Sequence, residues 1–511
     1  MGEAEGRRAK RKFAFDAGRV LGVEVSARQA FRAVLAVGLL VMLGANLPGH
    51  LSYDSVAQLY EGHFHIRETW GPALYAWVLG FFDGFIPGTS LYVTVSGALF
   101  FGSLAALGNL RPKVSWWAPV MAALAALTPQ LLVYQGIVWK DVMFANCAVA
   151  GFVLIAHAAR VWDRPWRRWA LLIAALVLMA AGDQVRQNGL IAGAFAALAL
   201  GVIAAGANPG VANPGVANPG RGSLRRGAVW ALGALVAVVL VGQAETVLSE
   251  PPKAPKETAL ATGIRIVQTY DILGAVALDP HYRTDVLDVA NYPANVILHQ
   301  RAKLDYSGRR VDFLDRDLAI QDAMNDITDA AFNEQWLDLV LKHPALYLRI
   351  RWEDFRWLVA PPVIDWCLPI YVGVDAPGDK MAPLGLAHRY VQSDVMLANY
   401  SSWFLDTPVY SHLFYTAICL VLAGLLLWRR QPGDLILAAL QLAGVAFAAS
   451  FFIISIACDY RYLYFTDLAA IAGLIYAAVD PPLPWRRTSW PKRASQAAAT
   501  SSRGRRAQRN R

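Results

Sequence analysis

The chain has 511 residues, of which 56% are hydrophobic and 17% are charged. A soluble protein of this length would have to hide many uninterrupted apolar runs in one or two cores. The composition therefore excludes a soluble protein. The formal charge of +9 does not indicate nucleic-acid binding. The basic residues lie at the two termini and between apolar runs, where they act as topology signals. We therefore expect an all-α polytopic membrane protein.

The first apolar run, 31–48, follows a basic segment, 1–30. Basic residues lie at the start of the run, at Arg28 and Arg32, and the run has no obvious small-residue cleavage site. These features favour a retained membrane helix over a cleavable signal peptide. Lys and Arg concentrate in cytoplasmic segments, so we predict a cytoplasmic N-terminus.

Apolar runs continue along the chain and indicate further membrane helices. They lie at 31–48, 72–86, 89–109, 115–135, 142–159, 167–182, 188–206, 227–247, 408–428, 434–456 and 462–480. Eleven crossings would put the two basic termini on opposite sides of the membrane, against the usual bias. The weakest run is 72–86, which is short, opens with Pro72 and contains Asp83. We predict that it is an interfacial helix, which leaves ten crossings with both termini in the cytoplasm.

This topology predicts the domain organisation of a bacterial inner-membrane protein. The predicted parts are a cytoplasmic N-terminus 1–30, a transmembrane region 31–247 of about seven helices, a mostly helical extracytoplasmic domain 248–407, a transmembrane region 408–480 of about three helices and a cytoplasmic tail 481–511. The segment 206–227 contains the repeat NPGVANPGVANPG, and its Pro-Gly steps favour turns. We interpret that segment as a cytoplasmic linker.

The first outer loop carries three acids: Asp54, Glu61 and Glu68. A carboxylate near the membrane plane can act as a general base or can hold a divalent cation such as Mg²⁺ or Mn²⁺ through oxygen ligands. An ordinary solvated loop is the alternative, and it is the reading we prefer for Glu61. Asp54 is the candidate catalytic base, and Asp54 with Glu68 is the candidate metal site.

Basic side chains mark the later outer turns. Lys140 follows one apolar run, and Arg186 and Asn188 lie in the next outer turn. Arg461 begins the last membrane helix at its outer end. Arginine binds phosphate oxygens in pairs and keeps its charge. We therefore predict that these four residues bind a lipid phosphate. The alternatives are that Lys140 anchors a helix end, that Arg186 only pairs with a nearby acid, and that Arg461 snorkels to bulk lipid.

Four cysteines complete the set of reactive side chains. Cys147 and Cys419 lie inside apolar runs and are interpreted as packing residues. Cys367 and Cys458 lie outside the membrane on this topology. They could pair with each other, but their spacing alone leaves this open.

Several short motifs resemble one membrane-enzyme family. They are Asp54 after the first helix, Glu68 with Trp70-Gly71-Pro72 at the start of the interfacial helix, His343-Pro344-Ala345-Leu346-Tyr347-Leu348 before a Trp- and Arg-rich helix, and Asp459-Tyr460-Arg461-Tyr462. With the polar outer turns, this pattern resembles integral-membrane glycosyltransferases of the GT-C class. That class includes protein O-mannosyltransferases, oligosaccharyltransferase catalytic subunits and aminoarabinose transferases of lipid A.

The resemblance implies a specific activity. A sugar carried on polyprenyl phosphate would be transferred on the outer face by an inverting hexosyl- or pentosyltransferase, with Asp54 activating the acceptor. Basic residues or a cation would neutralise the departing lipid phosphate, and Lys140, Arg186 and Arg461 are the candidates. The partners would be the lipid-linked sugar, membrane lipids and an envelope glycan, lipid or protein acceptor, with no role for nucleic acid.

Two other classes of function compete with this hypothesis. A transporter or flippase would favour ionisable residues at mid-membrane and paired repeats with broken helices. The apolar runs are instead nearly free of charge, and no internal duplication is evident. A non-catalytic envelope-assembly protein would use the long outer loop as a binding domain.

Overall fold

The computed structural model describes residues 19–20, 23–69, 71–206, 221–251, 259–309, 317–431 and 433–481. The predicted Pro-Gly linker repeat, Trp70 and most of both predicted basic termini lie outside these residues. Two short strands, Arg19–Val20 and Val23–Glu24, pair in antiparallel orientation. Helices make up most of the rest of the described chain.

The described residues form twenty α-helices. In chain order they are α1 (Ala27–Asn46), α2 (Tyr53–Phe64), α3 (Ala73–Asp83), α4 (Ser90–Leu107), α5 (Trp117–Ala126), α6 (Pro129–Leu132), α7 (Lys140–Arg160), α8 (Pro165–Val185), α9 (Leu190–Gly206), α10 (Arg221–Ser249), α11 (Ala259–Leu278), α12 (Asp285–Asp305), α13 (Leu318–Asn325), α14 (Asp329–Lys342), α15 (Pro344–Val359), α16 (Gly378–Met381), α17 (Gln392–Ser402), α18 (His412–Arg429), α19 (Asp434–Ile454) and α20 (Tyr464–Val479). Short 3₁₀ helices lie at Gly108–Leu110, Tyr134–Gly136, Ile364–Cys367, Ala382–Leu384, Pro408–Tyr410 and Tyr460–Leu463.

The architecture is that of an all-α polytopic membrane protein. Eight helical segments of the described chain are long and apolar enough to cross a membrane, and these involve α1, α4, α7, α8, α10, α18, α19 and α20. A ninth candidate is the pair formed by α5 and the following Pro129–Gly136, which meet at 70°. Helix α9 has 17 residues, or about 25 Å, which is slightly less than the hydrocarbon thickness of ~30 Å.

Contacts at their two ends show that the bent pair and α9 run alongside the candidate membrane helices. Before α5, the Ser115 amide donates to the Val479 carbonyl (2.9 Å) at the end of α20. At the other end, Gln130 donates to the Tyr460 hydroxyl (2.8 Å) just before α20. The bent pair therefore runs the whole length of α20 in the opposite direction.

Helix α9 is tied to its neighbours in the same way. Asn188, just before α9, donates to the Ser450 hydroxyl (2.9 Å) near the end of α19. Arg226, near the start of α10, donates to the Ala204 carbonyl (2.7 Å) in the last turn of α9. Ten segments of the described chain, with α9 the shortest of the apolar ones, therefore run between the same two ends of the bundle. We call these ends the Asp54 end and the Arg28 end. The ten crossings stay a prediction.

Helix α3 is the run that was predicted not to cross. Its 11 residues span about 16 Å, roughly half the hydrocarbon thickness. It packs tightly against α2 at Gly62 and Gly80. A Cβ atom at Gly62 would lie 2.0 Å from the Ala76 carbonyl oxygen, so glycine is required for this close approach. The structure thus leaves α3 as a short helix beside the Asp54 end.

The helices between the two groups of crossing segments have their own core. Buried apolar side chains from α11 to α15 form a cluster separate from the core of the bundle. Arg351 joins the two. It is fully buried, pairs with Asp271 on α11, and donates to the Ile453 (2.9 Å) and Ser455 (3.0 Å) carbonyls at the end of α19. The second core is therefore held on the Asp54 end of the bundle.

Candidate active site

Backbone pairing brings the start of α2 beside the start of α7. The His50 amide donates to the Gly136 carbonyl (3.0 Å), and the Val138 amide donates to the His50 carbonyl (3.0 Å). Asp54 lies in the first turn of α2, and Lys140 is the first residue of α7. The two segments on which these side chains lie are thereby fixed to each other.

Arg461 completes a direct contact with Asp54. Its Nη1 atom lies 2.7 Å from Oδ2 of Asp54, and its Nη2 atom lies 3.3 Å from Oδ2 of Asp459. The guanidinium also sits 5.0 Å from the ring centroid of Trp139, in the range of a cation–π interaction. Trp139 is itself fixed, because its indole N–H donates to the Ser52 hydroxyl (2.9 Å).

A second arginine stands in the same cluster. The Nη2 atom of Arg186 lies 3.0 Å from Oδ1 of Asp141, and its guanidinium lies 5.0 Å from the ring centroid of Tyr462. Lys140 lies close enough for its charge to act on Asp54 and Arg186. The structure therefore brings together four of the predicted site residues: Asp54, Lys140, Arg186 and Arg461.

The charges of this cluster balance. Three cations, Lys140, Arg186 and Arg461, stand among three carboxylates: Asp54, Asp141 and Asp459. Buried charges are costly unless they are paired, and here each charge has a neighbour of the opposite sign.

The pairing is nevertheless incomplete. Among the described residues, the Nε atoms of Arg186 and Arg461 are buried without a hydrogen-bond partner. Asp141 is 2% exposed, and neither of its carboxylate oxygens accepts a well-aligned hydrogen bond from a described residue. Buried donors without acceptors are uncommon in native proteins and often mark a functional position. Phosphate oxygens are suitable acceptors for such arginine donors.

Asp54 is ionised at neutral pH. Its side chain is 53% exposed, but neighbouring protein atoms desolvate the carboxylate and by themselves raise its pKa. The charge and hydrogen bond of Arg461, together with the charge of Lys140, outweigh that effect and hold the pKa of Asp54 below its ordinary value. The carboxylate is thus available as a proton acceptor.

Glu68, the second predicted metal ligand, lies elsewhere. It forms an ion pair with Lys380, whose ammonium also lies 4.3 Å from the ring centroid of Tyr60. Asp54 lies in the first turn of α2, whereas Glu68 lies four residues beyond the end of that helix, where its amide donates to the Glu61 carboxylate (2.8 Å). Within the described chain no group of three or more His, Cys, Asp or Glu side chains is arranged to hold a metal ion. Each carboxylate has a cationic partner of its own, Arg461 for Asp54 and Lys380 for Glu68, and a metal site shared by the two acids stays a prediction.

Asn188 also has another partner. Its side-chain amide donates to Ser450 in the contact that ties α9 to α19. The side chain of this predicted phosphate-binding residue therefore takes part in a contact between two helices.

The sequence did not point to the segment that follows α15. Leu51, three residues before Asp54, donates to the Gly373 carbonyl (2.9 Å) and accepts from the Asp375 amide (3.0 Å). The ring of Tyr371 stands 6.2 Å from that of Trp139. This segment therefore lies against the site, through backbone pairing that leaves no local pattern in the sequence.

A disulfide adds a covalent link at the same place. Cys367 and Cys458 are bonded, which resolves the pairing that their spacing left open. Cys458 directly precedes Asp459, a partner of Arg461. Cys147 and Cys419 are free and buried, as predicted for packing residues.

No protein-family model matches the chain, and no curated protein sequence matches it. It is similar to solved structures of the oligosaccharyltransferase AglB from Archaeoglobus fulgidus. One of them, in complex with an inhibitory peptide and a dolichol-phosphate, is 13% identical with a TM-score of 0.39, and the match covers 88% of this chain and 50% of that one. The apo form gives the same values. A form tethered by a disulfide to an acceptor peptide with the NVT sequon is 11% identical with a TM-score of 0.39, and the match covers 88% and 49%.

The chain thus spans about half the length of these structures. Oligosaccharyltransferases are among the enzymes that the sequence resemblance includes.

Proposed function

We propose that this protein is a membrane glycosyltransferase that moves a sugar from a polyprenyl-phosphate donor to an envelope acceptor. One observation carries the proposal. A carboxylate, Asp54, pairs with Arg461 and lies near Lys140, and Arg186 stands in the same cluster through Asp141. The cluster lies at one end of the crossing helices, where lipid headgroup phosphates lie. A base and a phosphate-binding group are the two parts that such a transfer requires.

In the proposed reaction the acceptor hydroxyl gives its proton to Asp54 while its oxygen attacks the anomeric carbon of the sugar. The bond between that carbon and the phosphate oxygen breaks, and its electron pair leaves with the polyprenyl phosphate. This single displacement inverts the anomeric configuration. The negative charge that develops on the phosphate is stabilised by Arg461, Arg186 and Lys140.

The resting contact between Arg461 and Asp54 fits this scheme. A phosphate that binds Arg461 competes with Asp54 for its N–H donors. The carboxylate then gains freedom to accept the hydrogen bond of an acceptor hydroxyl. In the absence of donor, the pair keeps both charges compensated.

The proposal also assigns the orientation in a bacterial inner membrane. Basic residues cluster at the Arg28 end: Arg28, Arg32, Arg111, Lys113, Arg160, Arg164, Arg167, Arg168, Arg225, Arg226, Arg429 and Arg430. Lys and Arg favour the cytoplasmic side. The Asp54 end is then extracytoplasmic, with the helices α11 to α15, and both termini are cytoplasmic.

The test uses the purified full-length protein in liposomes that contain radiolabelled polyprenyl-phosphate hexoses or pentoses, with isolated envelope material as acceptor. We expect release of polyprenyl phosphate that depends on the acceptor. Asp54→Asn should lower this rate by about 100-fold or more, the usual effect of losing a general base.

Glu353→Gln is the matched control, because Glu353 forms an exposed ion pair with Arg356 on α15, away from the site. A fully active Asp54→Asn protein would contradict the proposal. Movement of the intact lipid-linked sugar across the liposome membrane, without release of phosphate, would identify a flippase instead.

A further inference from the structure

A cavity unrelated to the Asp54 site opens between α8, α9 and α10. Its volume is about 300 Å³, and its lining residues, among them Leu172, Ala197 and Gly233, are all apolar or glycine. Apolar cavities do not hold water stably. The helices around it are crossing segments, so the surrounding medium is lipid and an apolar chain is the natural occupant.

The depth of the cavity corresponds to one leaflet. Along α8 its lining extends from Trp169 to Met179, which is about 15 Å of helix. The hydrocarbon core of a bilayer is ~30 Å thick, so this is roughly the depth that one acyl chain occupies. Trp169 lies in the first two turns of α8, so the cavity begins at the Arg28 end.

An arginine in an aromatic cage stands at that end of the cavity. The guanidinium of Arg168 lies 5.0, 5.4 and 5.9 Å from the ring centroids of Trp162, Trp169 and Trp230. Trp169 and Trp230 also line the cavity. In the described part of the chain, the buried Nε atom of Arg168 has no hydrogen-bond partner. A cation with an unused donor therefore sits where an apolar chain entering the cavity would carry its headgroup.

The surrounding charge is strongly positive. Residues 160–168 contain four arginines and a single acid, Asp163, and the neighbouring start of α10 adds Arg225 and Arg226. Arg226 caps α9, yet its charge remains at this end. Basic pockets between membrane helices bind anionic lipid headgroups. Charge complementarity thus selects an anionic lipid over a zwitterionic one.

We propose that this cavity binds an anionic phospholipid of the leaflet at the Arg28 end. One acyl chain fills the space between α8, α9 and α10, and the phosphodiester contacts Arg168. The site is separate from the Asp54 cluster, because the two lie at opposite ends of the crossing helices. It does not depend on the proposed glycosyl transfer.

Gly233 allows the cavity to be filled without disturbing the fold. A Cβ atom at Gly233 would meet no other atom within 4 Å, so Gly233→Leu places its side chain in free space. Gly424 on α18 has the same open surroundings and faces lipid away from the cavity. Gly424→Leu is therefore the matched control.

The experiment measures phospholipid retention on the detergent-purified full-length protein by native mass spectrometry. We expect phosphatidylglycerol to bind the wild type and Gly424→Leu at least 10-fold more tightly than phosphatidylcholine. Gly233→Leu should lower phosphatidylglycerol binding by about 10-fold. Equal binding by the two glycine variants would overturn the assignment of the chain to this cavity.

The headgroup contact has its own pair of variants. Arg168→Gln should lower phosphatidylglycerol binding about 10-fold and remove the preference over phosphatidylcholine. Arg430→Gln, at the same end but directly after α18, should do neither. Retained preference in Arg168→Gln would overturn the proposed headgroup contact. Competition with undecaprenyl phosphate tests whether the lipid in the cavity is a phospholipid or a polyprenyl lipid. Displacement of phosphatidylglycerol by undecaprenyl phosphate at equal concentration would show that a polyprenyl lipid occupies the cavity, and would also overturn the proposal.

Discussion

Arg461 and Asp54 are 407 positions apart in the sequence, and their side chains meet at 2.7 Å. The arginine charge is the largest influence that lowers the pKa of Asp54, against the opposing effect of burial. Their contact also joins the first loop to the last crossing helix. It is the link on which both the proposed base and the proposed phosphate site depend.

Removal of this partner should change the pH dependence of transfer. In the wild type the acid limb of kcat/KM should lie below about pH 4, because the pKa of Asp54 is held below its ordinary value. Arg461→Gln removes the nearby positive charge, so the pKa rises and the limb moves to higher pH. The rate at pH 7 should also fall by about 100-fold, because a stabilising donor is lost.

The control for this prediction is Arg356→Gln, which breaks an exposed pair with Glu353 on α15 and should leave the pH profile unchanged. Initial rates measured across the acid range in liposomes provide the comparison. If the acid limb of Arg461→Gln stays at the wild-type position, Asp54 is not the base that titrates in the reaction.

The Cys367–Cys458 disulfide should stabilise the folded protein, and its reduction should therefore destabilise the fold. The two cysteines are 91 positions apart, and a bond that closes a long loop restricts the unfolded chain, typically by about 2–4 kcal/mol. A thiol reductant should therefore lower the midpoint of thermal unfolding in the wild type. The same shift should occur in the double variant Cys147→Ala, Cys419→Ala.

The decisive comparison is Cys367→Ala, Cys458→Ala, which should start from the lower midpoint and should not respond to reductant. Unfolding followed by intrinsic fluorescence gives the midpoints. If reductant still lowers the midpoint of this variant, the sensitivity has another origin.

The predicted orientation can be tested by cysteine labelling. Lys113 lies at the Arg28 end, and Val289 lies on α12 with 90% of its surface exposed. With a membrane-impermeant maleimide on intact cells whose outer membrane has been opened, Val289→Cys should react and Lys113→Cys should not. Inverted membrane vesicles should reverse the pattern. The native cysteines contribute little background, since two are buried and two are bonded.

The sequence predicted the framework because hydropathy and charge are local signals. The length of an apolar run indicates whether it can cross, as the short run 72–86 cannot, and the basic loops between runs predict their side. Asp54, Lys140, Arg186 and Arg461 were predicted at one end for that reason, and the structure places them there together. Their roles in transfer stay predictions.

Other features depend on contacts between distant segments and could not be predicted. The ion pair of Glu68 with Lys380 links positions 312 apart, and nothing near Glu68 indicates such a partner. The pairing of Leu51 with Gly373 uses backbone atoms alone. The proposed phospholipid cavity depends on small residues from three helices, which in the sequence read only as apolar runs.

Asp354, in the second core, should make stability depend on pH. Burial raises the pKa of Asp354 to about 7 against the opposing charge of Arg351, and its Oδ1 atom accepts a hydrogen bond from the Tyr306 hydroxyl (3.3 Å). Between about pH 4 and pH 7 the folded protein keeps the proton and the unfolded chain does not. Stability should therefore fall as pH rises through this window and level off above it. Asp354→Asn mimics the protonated acid and should remove this slope. The unfolding midpoint of the variant should lie near the wild-type value at pH 5 and roughly 1–3 °C above the wild-type value at pH 8. Asp285→Asn, which breaks an exposed ion pair with Arg283 at the start of α12, should keep the wild-type slope. A lower midpoint for Asp354→Asn than for the wild type at pH 8 would mean that the ionised carboxylate stabilises the fold through its ion pair with Arg351, contrary to the raised pKa.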